Sequence, residues 1–178
     1  MIDRLIKMLF TIFILLNVNN VIAETQLNGH LSTHFGMSAK EVRAVFENDD
    51  EIFSNSETTD GDHLIFAQRK QSWITTDLLY VFPVSSDRLA LIIEIIPGLL
   101  DTAPLRKEQV EKLGDPSSDN YPETVLNKMQ ESSLIPAGVK HLAVWNIISD
   151  GFDREARIMG LNEYVRVEYI DNDLMAVK

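Results

Sequence analysis

The stretch GMSAKEVRAVF, residues 36–46, has the pattern of a short amphipathic helix with a defined start. Ser38 and Glu41 are spaced as a capping box, in which each side chain bonds the backbone amide of the other residue. The apolar residues that follow lie three and four positions apart and form one stripe for packing: Val42, Val45 and Phe46. The stretch therefore predicts a helix that begins at Ser38 and packs through one face.

A similar pattern returns further along the chain, in KEQVEKLGDP at residues 107–116. Val110 and Leu113 align with Val42 and Val45 at an offset of 68 residues. Gly114 is a typical carboxyl cap of a helix, and the proline two positions later ends it. The sequence thus predicts a second helix and favours a repeated unit, although two amphipathic helices can also agree by chance.

Three runs after the first helix have the composition of strands, at residues 63–70, 78–84 and 89–96. They are rich in β-branched and aromatic residues and are separated by turn formers, which predicts a three-stranded antiparallel meander. In the last run, LALIIEII, the odd positions are all apolar and Glu94 lies between them. We expect the odd face, with Leu89 and Ile93, to cover the helix and Glu94 to lie on the other face.

The second half of the chain repeats this order with one addition. Residues 142–149 and 154–160 have strand composition, and 163–170 followed by Asp-Asn-Asp and LMAV predicts a closing hairpin. Pro122 and the apolar residues after it predict an extra helix. The predicted fold class is α+β, with two tandem units of a short helix plus an antiparallel β-meander, at residues 28–97 and 98–178, and the extra helix inserted in the second unit.

The first residues have the layout of a secretory signal. Arg4 and Lys7 precede the apolar run MLFTIFILL, and the smaller residues Val21 and Ala23 occupy the cleavage positions. The run is shorter than the roughly 20 residues that a membrane span needs. We expect residues 1–23 to be a signal peptide cleaved after Ala23, which predicts a periplasmic or secreted protein with no integral membrane span after cleavage. An uncleaved amino-terminal anchor is the alternative.

Composition excludes several classes of protein. The chain of 178 residues is 45% hydrophobic and 24% charged, which suits a globular core. It contains no cysteine, so it is neither an acylated lipoprotein, nor a disulfide scaffold, nor a thiol enzyme. Cleavage after Ala23 would leave 14 basic and 26 acidic side chains, a net charge of −12 that disfavours nucleic acid as a partner.

Motifs for catalysis are missing from the sequence. It has neither the Gly-x-Ser-x-Gly motif of serine hydrolases nor a glycine-rich phosphate loop. His30 and His34 have the spacing of metal ligands on a helix, but glycines at positions 29 and 36 argue against a helix there, and surface histidines explain them better. We therefore predict a protein that is not an enzyme and that has no cofactor and no metal site.

Three side chains are candidates for contact with another protein. Trp73 lies between polar residues, and tryptophan is enriched at protein interfaces. Tyr164 and Arg166 alternate with Val165 and Val167, so they lie on the solvent-facing side of the last strand. Trp145, in the apolar run LAVWNII, is expected in the core.

The segments GMSAKEVRAVF, VEKLGDP with Trp145, and YVRVEYIDNDLMAV together resemble the SmpA/OmlA-like (BamE-like) family and the related β-lactamase inhibitor protein fold. The resemblance implies exported proteins without catalytic residues, whose sheets or loops bind other proteins as envelope assembly factors or enzyme inhibitors. Members of the first branch carry a lipid-anchored cysteine and members of the second carry disulfides, and this chain has neither.

The predicted function is a non-catalytic protein-binding module of the cell envelope, whose partner is another envelope protein. The alternative is a small ligand-binding protein or hydrolase that uses a cleft between sheet and helices. A deep pocket with convergent polar groups would favour the alternative.

Overall fold

A computed structural model describes residues 27–46, 52–57, 61–71, 74–99, 101–149 and 151–176. The strands are β1 (Gly29–His30), β2 (Thr33–His34), β3 (Ile52–Glu57), β4 (His63–Gln71), β5 (Ile74–Phe82), β6 (Leu91–Pro97), β7 (His141–Ser149), β8 (Phe152–Gly160) and β9 (Tyr164–Asp171). The helices are α1 (Ala39–Phe46), α2 (Ala103–Leu113), α3 (Glu123–Glu131) and α4 (Asn172–Ala176). The predicted signal peptide and Trp73 lie outside the described residues.

One antiparallel sheet carries the fold, with its seven strands in the order β3-β4-β5-β6-β9-β8-β7. The first half of the chain supplies β3 to β6 and the second half supplies β7 to β9. The halves meet where β6 pairs with β9, the last strand of each half. The α+β class with an antiparallel meander is confirmed. The division into two repeated units at residues 97 and 98 stays a prediction.

The amino-terminal end of α1 has the predicted capping box. The Ser38 amide donates to Glu41 Oε2 at 2.8 Å, and the Glu41 amide donates to Ser38 Oγ at 3.3 Å. The Ser38 hydroxyl also donates to Glu41 Oε2 at 2.8 Å, and the two bonds that this carboxylate accepts hold the pKa of Glu41 below its ordinary value. Val42 and Phe46 are buried against the sheet, so the cap fixes the start of the helix and the apolar stripe fixes its packing.

The other two predicted helices are also present. α2 begins four residues earlier than expected, at Ala103, because the Asp101 carboxylate accepts from the Ala103 amide at 2.8 Å and Pro104 suits a first helical turn. It ends at Gly114, whose φ of +80° favours glycine. α3 follows Pro122, and its Leu126 is buried.

The main core lies between the sheet and the two helices α1 and α2. Trp145 is 1% exposed in this core, as predicted, and its Nε1 donates to the Gly114 carbonyl at 2.9 Å. Val165 and Val167 of β9 also lie in this core, which confirms the buried face of that strand. A smaller apolar cluster lies on the opposite face of the sheet, where α3 packs on β7 and β8.

The faces of β6 are the reverse of the prediction. Ile92 is fully buried in the main core and lies directly opposite Tyr169, whereas Leu91 is only half-buried on the other face. Glu94, expected on the face away from the helix, is therefore on the helix side and is 6% exposed. Both faces of this strand are apolar, so alternation alone could not decide between them.

The prediction of a closing hairpin is wrong. β9 pairs with β6 and β8, and the residues after it form α4 instead of a strand. The Asp171 carboxylate accepts from the Leu174 amide at 3.0 Å and also binds Arg154 Nε at 3.0 Å. Aspartate and asparagine favour helix caps as well as turns, so the same residues predict either structure.

Three strands were not predicted at all. β3 is a strand at the edge of the sheet although its sequence, IFSNSE, is mostly polar. β1 and β2 form a small separate hairpin in which the Thr33 hydroxyl donates to the His30 carbonyl at 2.5 Å. Short polar strands lack the alternation that identifies longer ones.

Candidate binding surface

One face of the sheet is covered by α1 and α2, and the opposite face carries a group of apolar side chains. The register places Phe66, Leu79 and Ile93 in one row across β4, β5 and β6. Leu79 lies between two residues of the main core, Leu78 and Tyr80, so this row points away from that core. We call this side of β4, β5, β6 and β9 the open face.

The apolar part of the open face spans three neighbouring strands. Phe66 is 39% exposed, and the others are half-buried. We define the apolar patch by these residues: Leu64, Phe66, Leu79, Leu91 and Ile95. Val81 and Ile93 are buried between them. Because α3 packs only on the β7 and β8 end of this side, no described helix covers the patch.

A row of ion pairs borders the apolar patch on β8 and β9. Arg166 Nε donates to Glu168 Oε1 at 2.7 Å, and Arg157 NH1 lies 3.5 Å from Glu168 Oε2. Arg157 also pairs with Glu155. The four side chains, Glu155, Arg157, Arg166 and Glu168, form what we call the ion-pair row, and their formal charges cancel.

The structure brings two of the three predicted contact residues to this surface. Arg166 lies opposite Ile95 of the apolar patch. Tyr164 lies opposite Pro97 and is half-buried against the cluster under α3, so it lies where the open face meets α3. Trp73 follows β4 and precedes β5 in the sequence and lies outside the described residues.

Under the helices, a buried polar cluster joins five separate elements. Glu94 lies at its centre, with His30 Nε2 at 3.4 Å from one carboxylate oxygen and Arg69 NH2 at 3.4 Å from the other. The His30 ring stacks on Tyr169 at 4.8 Å. The Tyr169 hydroxyl accepts from Gln109 Nε2 of α2 at 2.8 Å. We call these five residues the central polar cluster.

Burial controls the protonation of the central polar cluster. Burial, with smaller contributions from Arg69 and Lys112, lowers the pKa of His30 to about 3. Burial raises the pKa of Glu94 although Arg69 opposes it, and burial together with the Glu94 charge raises the pKa of Tyr169. His30 is therefore neutral at pH 7. Its Nε2 lies within ion-pair distance of Glu94 but makes no hydrogen bond with it.

The central polar cluster is better suited to holding the fold than to catalysis. An imidazole with a pKa of about 3 is a weak general base at neutral pH. The cluster instead attaches the β1–β2 hairpin to the sheet. Sequence analysis missed it because its members come from distant positions, and the one signal was Glu94, a single charged residue inside an apolar strand.

The two histidines with ligand spacing do not share a helix. His30 is mostly buried on β1, whereas His34 is exposed on β2. Within the described ranges, no group of three histidine, aspartate or glutamate side chains is placed to hold a metal ion. In the same part of the chain, no helix has the length and apolar character to cross a membrane.

Comparison with known proteins gives no relatives: no family model, no curated protein and no solved structure matches this chain. The resemblance to the SmpA/OmlA-like family therefore stays a prediction.

Proposed function

We propose that this chain is an exported, non-catalytic module that binds another protein through the open face of its sheet. The observation that carries the proposal is the apolar patch with Phe66 at its exposed edge, beside the predicted contact residues Tyr164 and Arg166. Exposed apolar area that is bordered by polar residues is typical of protein contact sites. Phenylalanine, tyrosine and arginine are also enriched at such sites.

The charge of the residues beside the apolar patch indicates what kind of partner surface can bind there. The chain has a net charge of −11, yet the ion-pair row beside the patch is neutral because each arginine already has a carboxylate partner. A partner therefore needs no counter-charge at this place. We propose a protein whose contact surface is apolar and uncharged. Nucleic acid and anionic membranes fit poorly, since the acidic chain repels both.

Export rests on the predicted signal peptide. If residues 1–23 are removed, amino-terminal sequencing of the protein from the cells that produce it should read Glu24 first. A protein that keeps Met1 and stays in the cytoplasm would contradict the export part of the proposal and leave the binding part to be tested separately.

Binding is tested with two matched variants of the full chain. Phe66→Ser with Ile95→Ser removes two side chains of the apolar patch. Val84→Ser removes a side chain that is 67% exposed in the loop after β5 and is not a member of the apolar patch. Circular dichroism and urea unfolding check that both variants fold.

The expected result is that the parent and Val84→Ser capture the same protein from a cell extract and bind the purified partner equally. The patch variant should bind it at least about tenfold more weakly, since buried contact residues typically contribute more than 1 kcal/mol each. Equal binding by the patch variant and the parent would contradict the open face as the site, and a captured second copy of this chain would contradict a different protein as the partner.

A further inference from the structure

Two adjoining hollows lie at the β7 edge of the sheet, between α2 and α3. The smaller has a volume of about 90 Å³ and lies between the first turn of α2 and the start of β7. The larger, of about 380 Å³, follows α3 past Leu126 and Gln130. Tyr121, Lys140 and His141 line both hollows. We call the combined space the β7 cleft.

The backbone around the β7 cleft is held in place from both sides. Gly160 lies opposite His141 in the sheet, and a Cβ atom there would come within 3.0 Å of Thr102 Cγ2 and 3.4 Å of His141 Cβ. Glycine at position 160 therefore lets the Thr102 and His141 side chains approach the backbone of β8 closely. On the other side, Gln130 Oε1 accepts from the Gly138 amide at 2.6 Å and its Nε2 donates to the Val139 carbonyl at 3.3 Å, which fixes the segment that leads to Lys140.

Basic groups lie together in the lining of the β7 cleft, with one carboxylate in each hollow, Asp119 in the smaller and Glu123 in the larger. Arg106, Lys140 and His141 all line the smaller hollow. Arg106 is bound by Asp119 through one terminal nitrogen. In the described part of the chain, the Lys140 and His141 side chains have no hydrogen-bond or ion-pair partner. Two donors are thus available beside a guanidinium that is already oriented.

We infer that the β7 cleft binds a small organic anion. Its phosphate or carboxylate group lies in the smaller hollow, bonded by Lys140 and His141 and close to Arg106. Its remaining part lies along Tyr121 and Leu126 in the larger hollow. Charged donors form the strongest hydrogen bonds to such oxyanions, and a mostly preformed space with a few convergent polar groups is typical of small-ligand sites. This site is independent of the open face.

The test is an amide chemical-shift titration of the full chain with inorganic phosphate, and separately with acetate. Sodium chloride at matched ionic strength is the reference for both. We expect saturable shifts at residues 102–106, 119–121 and 138–142, and the anion that binds more tightly identifies the preferred group. Lys140→Gln should weaken binding about tenfold, the effect of losing one charged hydrogen bond, whereas Lys140→Arg should keep it.

Lys107→Ala is the matched control, because it removes the same charge from an exposed position on α2 outside the cleft. It should change the affinity by less than about twofold. The inference is overturned if neither anion gives saturable shifts beyond those in chloride, or if Lys107→Ala weakens binding as much as Lys140→Gln. Spectra of all variants report whether they remain folded. If Lys140→Gln does not remain folded, the anion affinity of the Lys140→Arg protein is compared with that of Lys107→Ala instead.

Discussion

The His30 and Glu94 side chains affect stability in opposite directions as the pH falls. The folded pKa of His30, about 3, lies below its ordinary value of 6.5, so the unfolded chain takes up the proton first and stability is lost from pH 6.5 downward. The folded pKa of Glu94 lies above 4.5, so its protonation restores some stability as the pH falls towards 4.5. Arg69 and Lys112 also face this pair.

We predict that His30→Phe removes the larger of these effects. Phenylalanine keeps a ring to stack on Tyr169 but takes up no proton. Between pH 6.5 and 3 the parent should lose stability on the order of 4 kcal/mol more than the variant, from about 1.4 kcal/mol per unit of pKa shift. Urea unfolding at several pH values measures this difference. His34→Phe, which removes an exposed imidazole, is the control, and a parent and His30→Phe protein with parallel stability curves would contradict the burial of His30.

Residue types predicted the hydrogen bonds between residues that are close together in the sequence. The bonds between Ser38 and Glu41 span three residues, so spacing alone identified them. The ion-pair contacts of Glu94 come from His30 of β1 and Arg69 of β4, and no spacing in the chain predicts them. Glu94 was predicted on the face of its strand away from the helix, whereas the structure buries it on the helix side.

Among the elements, α2 is attached to the sheet by apolar packing, by the Gln109–Tyr169 hydrogen bond and by one tryptophan. Trp145 of β7 fills the core and donates to the carbonyl of Gly114, the residue that ends α2. Trp145→Phe should reduce the free energy of unfolding by about 1–3 kcal/mol, from the lost hydrogen bond and the lost volume. Urea unfolding followed by circular dichroism measures it. A loss below about 0.5 kcal/mol would show that neither the bond nor the volume matters here.

Helices and long strands were predictable because their periodic patterns extend over two or more turns or pleats. α1, α2, α3 and most of the sheet were found in this way. α4 was predicted as a strand because LMAV is short, and Asp171 caps a helix as readily as it starts a turn. β3 was missed because its polar sequence gains its structure from pairing with β4.

For the molecule as a whole, the junction of β6 and β9 makes both halves depend on one sheet. Seven residue pairs join these two strands, and Val165 and Val167 lie in the same core as Val42 of α1. We predict a single cooperative unfolding transition. Amide signals of β5 and of β8, followed by NMR in increasing urea, should disappear with the same midpoint. Two separate midpoints would instead support two independent units at residues 28–97 and 98–178.

The candidate binding surface could be predicted only in part from the sequence. Alternation in β9 placed Tyr164 and Arg166 on the face away from the main core, which the strand pairing confirms. That face was predicted to be solvent-facing, but Tyr164 packs there against the cluster under α3 and Glu168 is buried. The apolar patch beside them depends on which face of β6 the helices cover, and that choice was predicted the wrong way round. The pairing order that brings β9 beside β6 joins distant segments, and no local pattern carries it.

Site-specific photocrosslinking tests directly whether the apolar patch binds another protein. A benzophenone-bearing amino acid replaces Phe66 on the apolar patch, or Val84 as the exposed control, in the full chain within the cells that produce it. If the apolar patch binds a partner, we expect one discrete adduct with a different protein from position 66 and none from position 84. No adduct at position 66, an adduct between two copies of this chain, or equal adducts from both positions would contradict it.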